Sequence, residues 1–109
     1  MVKIDGTKIW LTRGDTLYLS VQLKNADGTN YEPSQNDVIW FRMKKKASDS
    51  ESVIYKEFDH QTMTIKLEPE DTAGLTVGYN YPYNIRAVRD GQEVATPIVD
   101  SFVPTQEVG

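Results

Sequence analysis

Between Thr16 and Lys24 apolar and polar residues alternate without a break, with Leu17, Leu19, Val21 and Leu23 on one side and Thr16, Tyr18, Ser20 and Gln22 on the other. A period of two is the mark of a half-buried antiparallel strand, because successive side chains point to opposite faces; a helix would place apolar residues three and four apart. Asn25-Ala26-Asp27-Gly28 follows as a turn, with Gly28 free to take positive φ. After a second polar turn, Ser34 to Asp37, the run Val38-Ile39-Trp40-Phe41-Arg42-Met43 is rich in β-branched and aromatic residues and predicts a central strand. Ile39, Phe41 and Met43 share one of its faces and Trp40 lies on the other.

Lys44-Lys45-Lys46 and the polar residues Ala47 to Ser52 have no apolar period and predict an exposed loop. Val53 to Phe58 and Met63 to Leu67 predict two further strands joined by a hairpin turn at Asp59-His60-Gln61-Thr62. Glu68 to Leu75, with Pro early and Gly74 late, predicts one helical turn that crosses between sheets. Alternation resumes from Gly78 to Arg89, with Tyr79, Tyr81, Tyr83, Ile85 and Ala87 on one side. Asp90-Gly91 is a type I′ hairpin signal, since that turn needs positive φ at both central residues. Strands at Gln92 to Thr96 and Ile98 to Val103 are separated by Pro97, which cannot donate to a ladder and so marks an edge or a bulge. Together with Lys8 to Leu11, these segments predict an all-β fold, an antiparallel β-sandwich of about seven strands with one short helical turn.

A length of 109 residues fits one domain over 1–109, large enough to fold without staples. The absence of Cys removes disulfides, thiolate catalysis and cysteine-ligated metal sites. A net charge of −4 argues against a protein that neutralises phosphates, so no nucleic-acid partner is expected. The N-terminal residues lack the apolar core of a signal peptide and no run reaches a membrane span, so neither a membrane partner nor export by that route is expected.

Few residues offer site chemistry. Arg13-Gly14-Asp15 matches a cell-adhesion tripeptide, but adhesion needs a protruding loop, and only a short bend separates two candidate strands; Gly14 and Asp15 read better as turn residues. The single histidine, His60, makes no multi-histidine metal site, and beside Asp59 it reads as an exposed turn residue. Glu68, Glu70 and Asp71 suggest hard-cation ligands, yet fit no EF-hand spacing and suit the start of a helical turn. Trp10, Trp40, Tyr55, Tyr79, Tyr81 and Tyr83 serve either as a sugar-stacking face or as core and interface. With no phosphate loop, paired catalytic carboxylates or nucleophile elbow, neither enzymatic activity nor a metal or other cofactor is expected.

Taken in order, Ile9-x-Leu-x-Arg-Gly-Asp-Thr, Asn25-Ala-Asp-Gly, Asn36-Asp-Val-Ile-Trp-Phe-Arg-Met-Lys-Lys, Leu67-Glu-Pro-Glu-Asp-Thr-Ala-Gly-Leu, Gly78-Tyr-Asn-Tyr-Pro-Tyr-Asn-Ile and Phe102-Val-Pro-Thr-Gln-Glu-Val form a pattern of strands and turns. That pattern resembles the small immunoglobulin-like structural domains of tailed phages and prophages of Gram-positive bacteria, and is similar to the N-terminal domain of upper baseplate proteins. The resemblance implies an immunoglobulin-like sandwich in a virion, made in the host cytoplasm, that binds other virion proteins or itself in a tail, baseplate or head. Trp40, Tyr79, Tyr81, Lys44 and Lys45 are the candidate interaction surface, and Gly14, Asp15, Gly28, Gly74 and Gly91 the structural turns. Pro97 and the lysine triplet are expected to blunt one sheet edge, leaving the other for docking. The alternative function is a carbohydrate-binding sandwich for host surface glycans.

Overall fold

In the computed structural model, which describes residues 2–106, the elements run β1 (Val2–Asp5), β2 (Lys8–Thr12), β3 (Leu17–Ser20), β4 (Val38–Met43), β5 (Ile54–Glu57), β6 (Thr64–Leu67), α1 (Pro69–Ala73), β7 (Tyr81–Arg89), β8 (Gln92–Glu93) and β9 (Ile98–Thr105). The fold is all-β in two layers. One sheet has seven strands in the order β1-β2-β9-β7-β4-β5, with β8 pairing β7, and the other is the pair β3-β6. Leu17, Leu19, Ile65 and Leu67 of the small sheet join Ile39, Phe41, Met43, Tyr81, Tyr83, Ile85 and Phe102 of the large one in a single apolar cluster.

Alternation in β4 is obeyed: Ile39, Phe41 and Met43 are buried while Trp40 points to the opposite face. Phe41 stacks on Tyr83 of the neighbouring β7, with ring centroids 5.1 Å apart. The hairpin between β7 and β8 turns at Asp90 and Gly91, both with positive φ (53° and 80°), as a type I′ loop requires. Gly28 ends the first polar turn, donating its N–H to the Asn25 carbonyl at 2.9 Å. Gly74 caps α1 with φ −91°, so its position does not depend on glycine's access to positive φ.

Several expectations are corrected. The sheet is mixed rather than wholly antiparallel, because β2 pairs β9 in parallel from Ile9↔Phe102 to Thr12↔Thr105. Antiparallel neighbours can be joined by a tight turn, whereas this parallel pair is closed by most of the chain lying between its strands. The long strand from Thr16 shortens to β3, although burial still alternates as far as Leu23; Lys24 leaves the small sheet to bridge Asn30 and Thr96. The turn at residues 59–62 closes locally, with the Met63 N–H donating to the Asp59 carbonyl at 2.8 Å, but its flanking strands part into different sheets. Each flank has one apolar side, Ile54 and Phe58 before the turn and Ile65 and Leu67 after it, and these sides meet across the core rather than side by side. The strand expected over Gln92 to Thr96 is only β8.

The lysine triplet does not blunt a sheet edge, because Lys44 to Lys46 follow β4, which is internal; Pro97 joins β8, whose one strand partner is β7, to the start of β9 and so lies along an open stretch of the sheet. The outermost strands of the large sheet are β1 and β5.

The Arg13-Gly14-Asp15 bend is fastened to α1. The Gly14 N–H donates to Thr72 Oγ1 at 2.9 Å, Arg13 Nη1 donates to the Leu75 carbonyl at 3.3 Å, and the Asp15 N–H closes the turn on the Thr12 carbonyl at 3.0 Å. Thr72 is fully buried, which anchors the bend against the body of the domain. Gly14 holds φ +88°. Gly14→Ala is expected to cost about 1 kcal/mol, the usual penalty for forcing a side chain into the left-handed region, and equilibrium urea unfolding would measure it. An unchanged midpoint would show that the bend relaxes without glycine.

Candidate interaction face

The register of the large sheet determines which side chains stand together on its outer face. Trp40 lies opposite Glu57 of β5 and Arg86 of β7, and Arg42 lies opposite Tyr55 and Asn84. Directly paired residues share a face, so Tyr55, Glu57, Trp40, Arg42, Asn84 and Arg86 form a patch across three strands. The small sheet packs on the other side, and this patch keeps its contact with solvent: Tyr55 is 41% exposed, Val38 43% and Val99, farther along the same face, 64%.

At the centre of the patch the Arg42 guanidinium is held between two rings, 5.1 Å from the centroid of Tyr55 and 5.6 Å from that of Trp40. Tyr55 Oη donates to Glu57 at 3.3 Å, and Arg86 is paired with Glu93. Trp40 Nε1 and Arg42 Nε are shielded from solvent and have no hydrogen-bond partner. Such donors carry a desolvation cost, which makes this the least satisfied polar region described in the domain.

The residues expected to make an interaction surface are dispersed. Trp40 belongs to the outer patch. Lys44 follows on the same side of the chain, half-buried, with its N–H bonded to the Pro82 carbonyl at 2.9 Å, while Lys45 is exposed. Tyr79 is a strut: its hydroxyl donates to the Lys45 carbonyl at 2.6 Å and its ring meets Tyr81 edge-on at 4.6 Å. Tyr81 is excluded from any surface, being only 4% exposed, with its hydroxyl accepting the Thr76 N–H at 2.9 Å. Its alternation with Tyr83 and Ile85 places it on the inner side of β7, where the core needs large side chains. Arg42 and Asn84 escape a sequence-only reading, and Tyr55, one of the aromatics considered for a stacking face, cannot be placed beside them, since the ten-residue loop between β4 and β5 (residues 44–53) leaves the register open. The alternation that turned Trp40 outward already implied the same for Arg42.

A second polar cluster lies at the other end of β4. Asp37 is buried, accepting from Arg89 Nε (2.5 Å) and Nη2 (3.0 Å), from the Ser34 N–H (3.0 Å) and from the Tyr31 hydroxyl. The Arg89 bonds, opposed by burial and reinforced by the Tyr31 and Ser34 bonds, hold the Asp37 carboxyl well below the usual carboxylate range. Burial, then the bond and charge of Asp37, push the Tyr31 phenol up. His60 is half-buried rather than exposed, and its Nε2–H donates to the Asp37 carbonyl at 2.5 Å. A carboxylate with its acceptor positions taken and its proton affinity lowered is a poor base, so the cluster acts as a fastener between the 31–37 loop and β7.

The carboxylates at the helix start are likewise engaged. Asp71 accepts the Glu68 N–H at 2.7 Å in a capping box and pairs with Lys56 at 3.0 Å, and Glu68 pairs with Lys66 at 3.2 Å. Among the described residues no group of three potential ligands gathers to hold a metal ion, and no helix is long and apolar enough to cross a membrane.

No family model, curated protein or solved structure matches this chain.

Proposed function

We propose that this chain is a non-enzymatic structural module of a tailed-phage or prophage particle, an immunoglobulin-like sandwich that assembles with other virion proteins through the outer face of its large sheet. The observation that carries the assembly part is the Tyr55–Arg42–Trp40 stack on a solvent-facing sheet. Trp, Tyr and Arg are the residues that dominate binding energy at protein interfaces, where the two rings bury large rigid surfaces at small entropic cost. The virion part rests on the sequence pattern from Ile9 to Val108.

Glycan binding fits the same patch less well. A sugar-stacking platform needs a free ring face, and Arg42 lies over Trp40. Mass spectrometry of particles induced from the bacterial host is expected to find the chain at a fixed ratio to the capsid and tail proteins, with a marked loss of incorporation in Trp40→Ala. Its absence from particles would overturn the virion assignment, and saturable binding of Trp40-dependent character on an array of host-wall polysaccharides would replace it with the glycan function.

A further inference from the structure

Arginines on or near the outer face differ in what they hold. Arg86 is paired with Glu93 and Arg89 with Asp37, while Arg42 has no carboxylate among the described residues. The carboxylate on its own face that lies nearest in the register, Glu57, accepts from the Tyr55 hydroxyl. Arg42 is therefore a stacked, oriented cation that forms no ion pair among the described residues, opposite Asn84 in the register and over the ring of Trp40, whose Nε1 is itself without a hydrogen-bond partner.

We propose that Arg42 is the receptor for an Asp or Glu carboxylate on an acidic segment of a partner protein of different sequence, which rests on the assembly function proposed above. A guanidinium offers a planar fork that matches a carboxylate in two parallel hydrogen bonds, and the rings of Trp40 and Tyr55 fix the plane in which that fork lies. Because the side chain is already ordered, little rotamer freedom is lost when the partner arrives. The same rings lower the local polarity, which strengthens a charge-assisted bond.

Complementarity selects this occupant over two others. A second copy meeting this face about a two-fold axis would bring the same patch against itself, setting Arg42 at its centre against the Arg42 of the other copy, a like-charge contact that an acidic partner avoids. A neutral glycan would meet a cation where it needs a bare ring. An acidic segment supplies the missing charge, and its apolar neighbours have Val38, Tyr55 and Val99 to cover.

The test is NMR on the full chain, following the Arg42 Nε–H and Trp40 Nε1–H resonances during titration with the peptide acetyl-Thr-Glu-Thr-Glu-Thr-amide, its Gln counterpart and tetragalacturonate. The Glu peptide is expected to move both resonances saturably and the Gln peptide to bind about tenfold more weakly, since a hydrogen bond to a charged group exceeds a neutral one by about that factor. Arg42→Gln, checked for an unchanged amide spectrum, should abolish the preference. Equal response to Glu and Gln, tighter saturation by tetragalacturonate, or self-association that Arg42→Gln removes in sedimentation would each overturn the proposal. If the Glu peptide is ignored while Trp40→Ala still blocks incorporation into particles, the carboxylate proposal fails and the assembly function stands; if incorporation is also unaffected, both fail.

Discussion

Asp37→Ala is expected to destabilise the domain by about 3 kcal/mol at neutral pH, at the low end of what removal of one partner from a buried ion pair costs. The substitution strands the Tyr31 hydroxyl and the Ser34 N–H, whose acceptor it removes. It also leaves Arg89 unpaired, but the Arg89 side chain is 40% exposed and regains water, which holds the loss below that of a fully buried pair. Urea unfolding at pH 7 would measure the difference. A loss under about 1 kcal/mol, the worth of one ordinary hydrogen bond, would mean that the 31–37 loop is not held by this cluster.

The pH dependence of the same cluster has a definite sign. The folded-state proton affinity of Asp37 is depressed by Arg89, so its contribution is fully present above the unfolded carboxylate range near ~3.9 and is lost as pH falls through that range toward the folded value. Stability of the native chain should therefore fall steeply below about pH 4, and Asp37→Asn should flatten that limb. Tyr31 works in the opposite direction. Its phenol is raised by burial and by Asp37, so its contribution is present below about pH 10 and is lost at higher pH as the phenol ionises.

How much of this was legible in the sequence depends on the range of each interaction. Local signals survived: the alternation of Ile39, Phe41 and Met43, the Asp90-Gly91 turn and the helical turn at Pro69 are set by residues within a few positions of one another. Sheet membership did not. Nothing local to Phe58 or Thr64 says that β5 pairs β4 while β6 pairs β3, and the parallel insertion of β9 between β2 and β7 joins segments about ninety residues apart. The site followed the same rule. Trp40 was identifiable from alternation, but its grouping with Tyr55 depends on a register fixed only after the intervening loop closes, and the grouping with Tyr81 failed because core filling claimed that side of β7. Asp37 looked like an ordinary turn residue, since its partner Arg89 lies 52 residues away.

β4 links the core to the face, and its central residue provides the second large effect. Phe41 has no exposed surface and stacks on Tyr83, so Phe41→Ala is expected to cost about 3 to 5 kcal/mol through lost burial and the cavity left behind. A small domain holds about 5 to 15 kcal/mol in all, so thermal and urea unfolding should show a large drop or a largely unfolded chain. Leu19→Ala should cost less, about 2 to 3 kcal/mol, because Leu19 keeps 7% exposure on the two-stranded layer, which has more room to settle. Equal losses at the two positions would show that the small sheet is packed as rigidly as the large one. Phe41→Leu separates the two faces of the strand: it retains most of the apolar volume, so the domain should stay folded, while Trp40 and Arg42 remain directed outward by the backbone. Under the assembly function proposed above, a variant that is folded yet no longer enters particles would mean that the Phe41 packing sets the geometry of the outer stack, whereas incorporation equal to that of the unaltered chain would show that it does not.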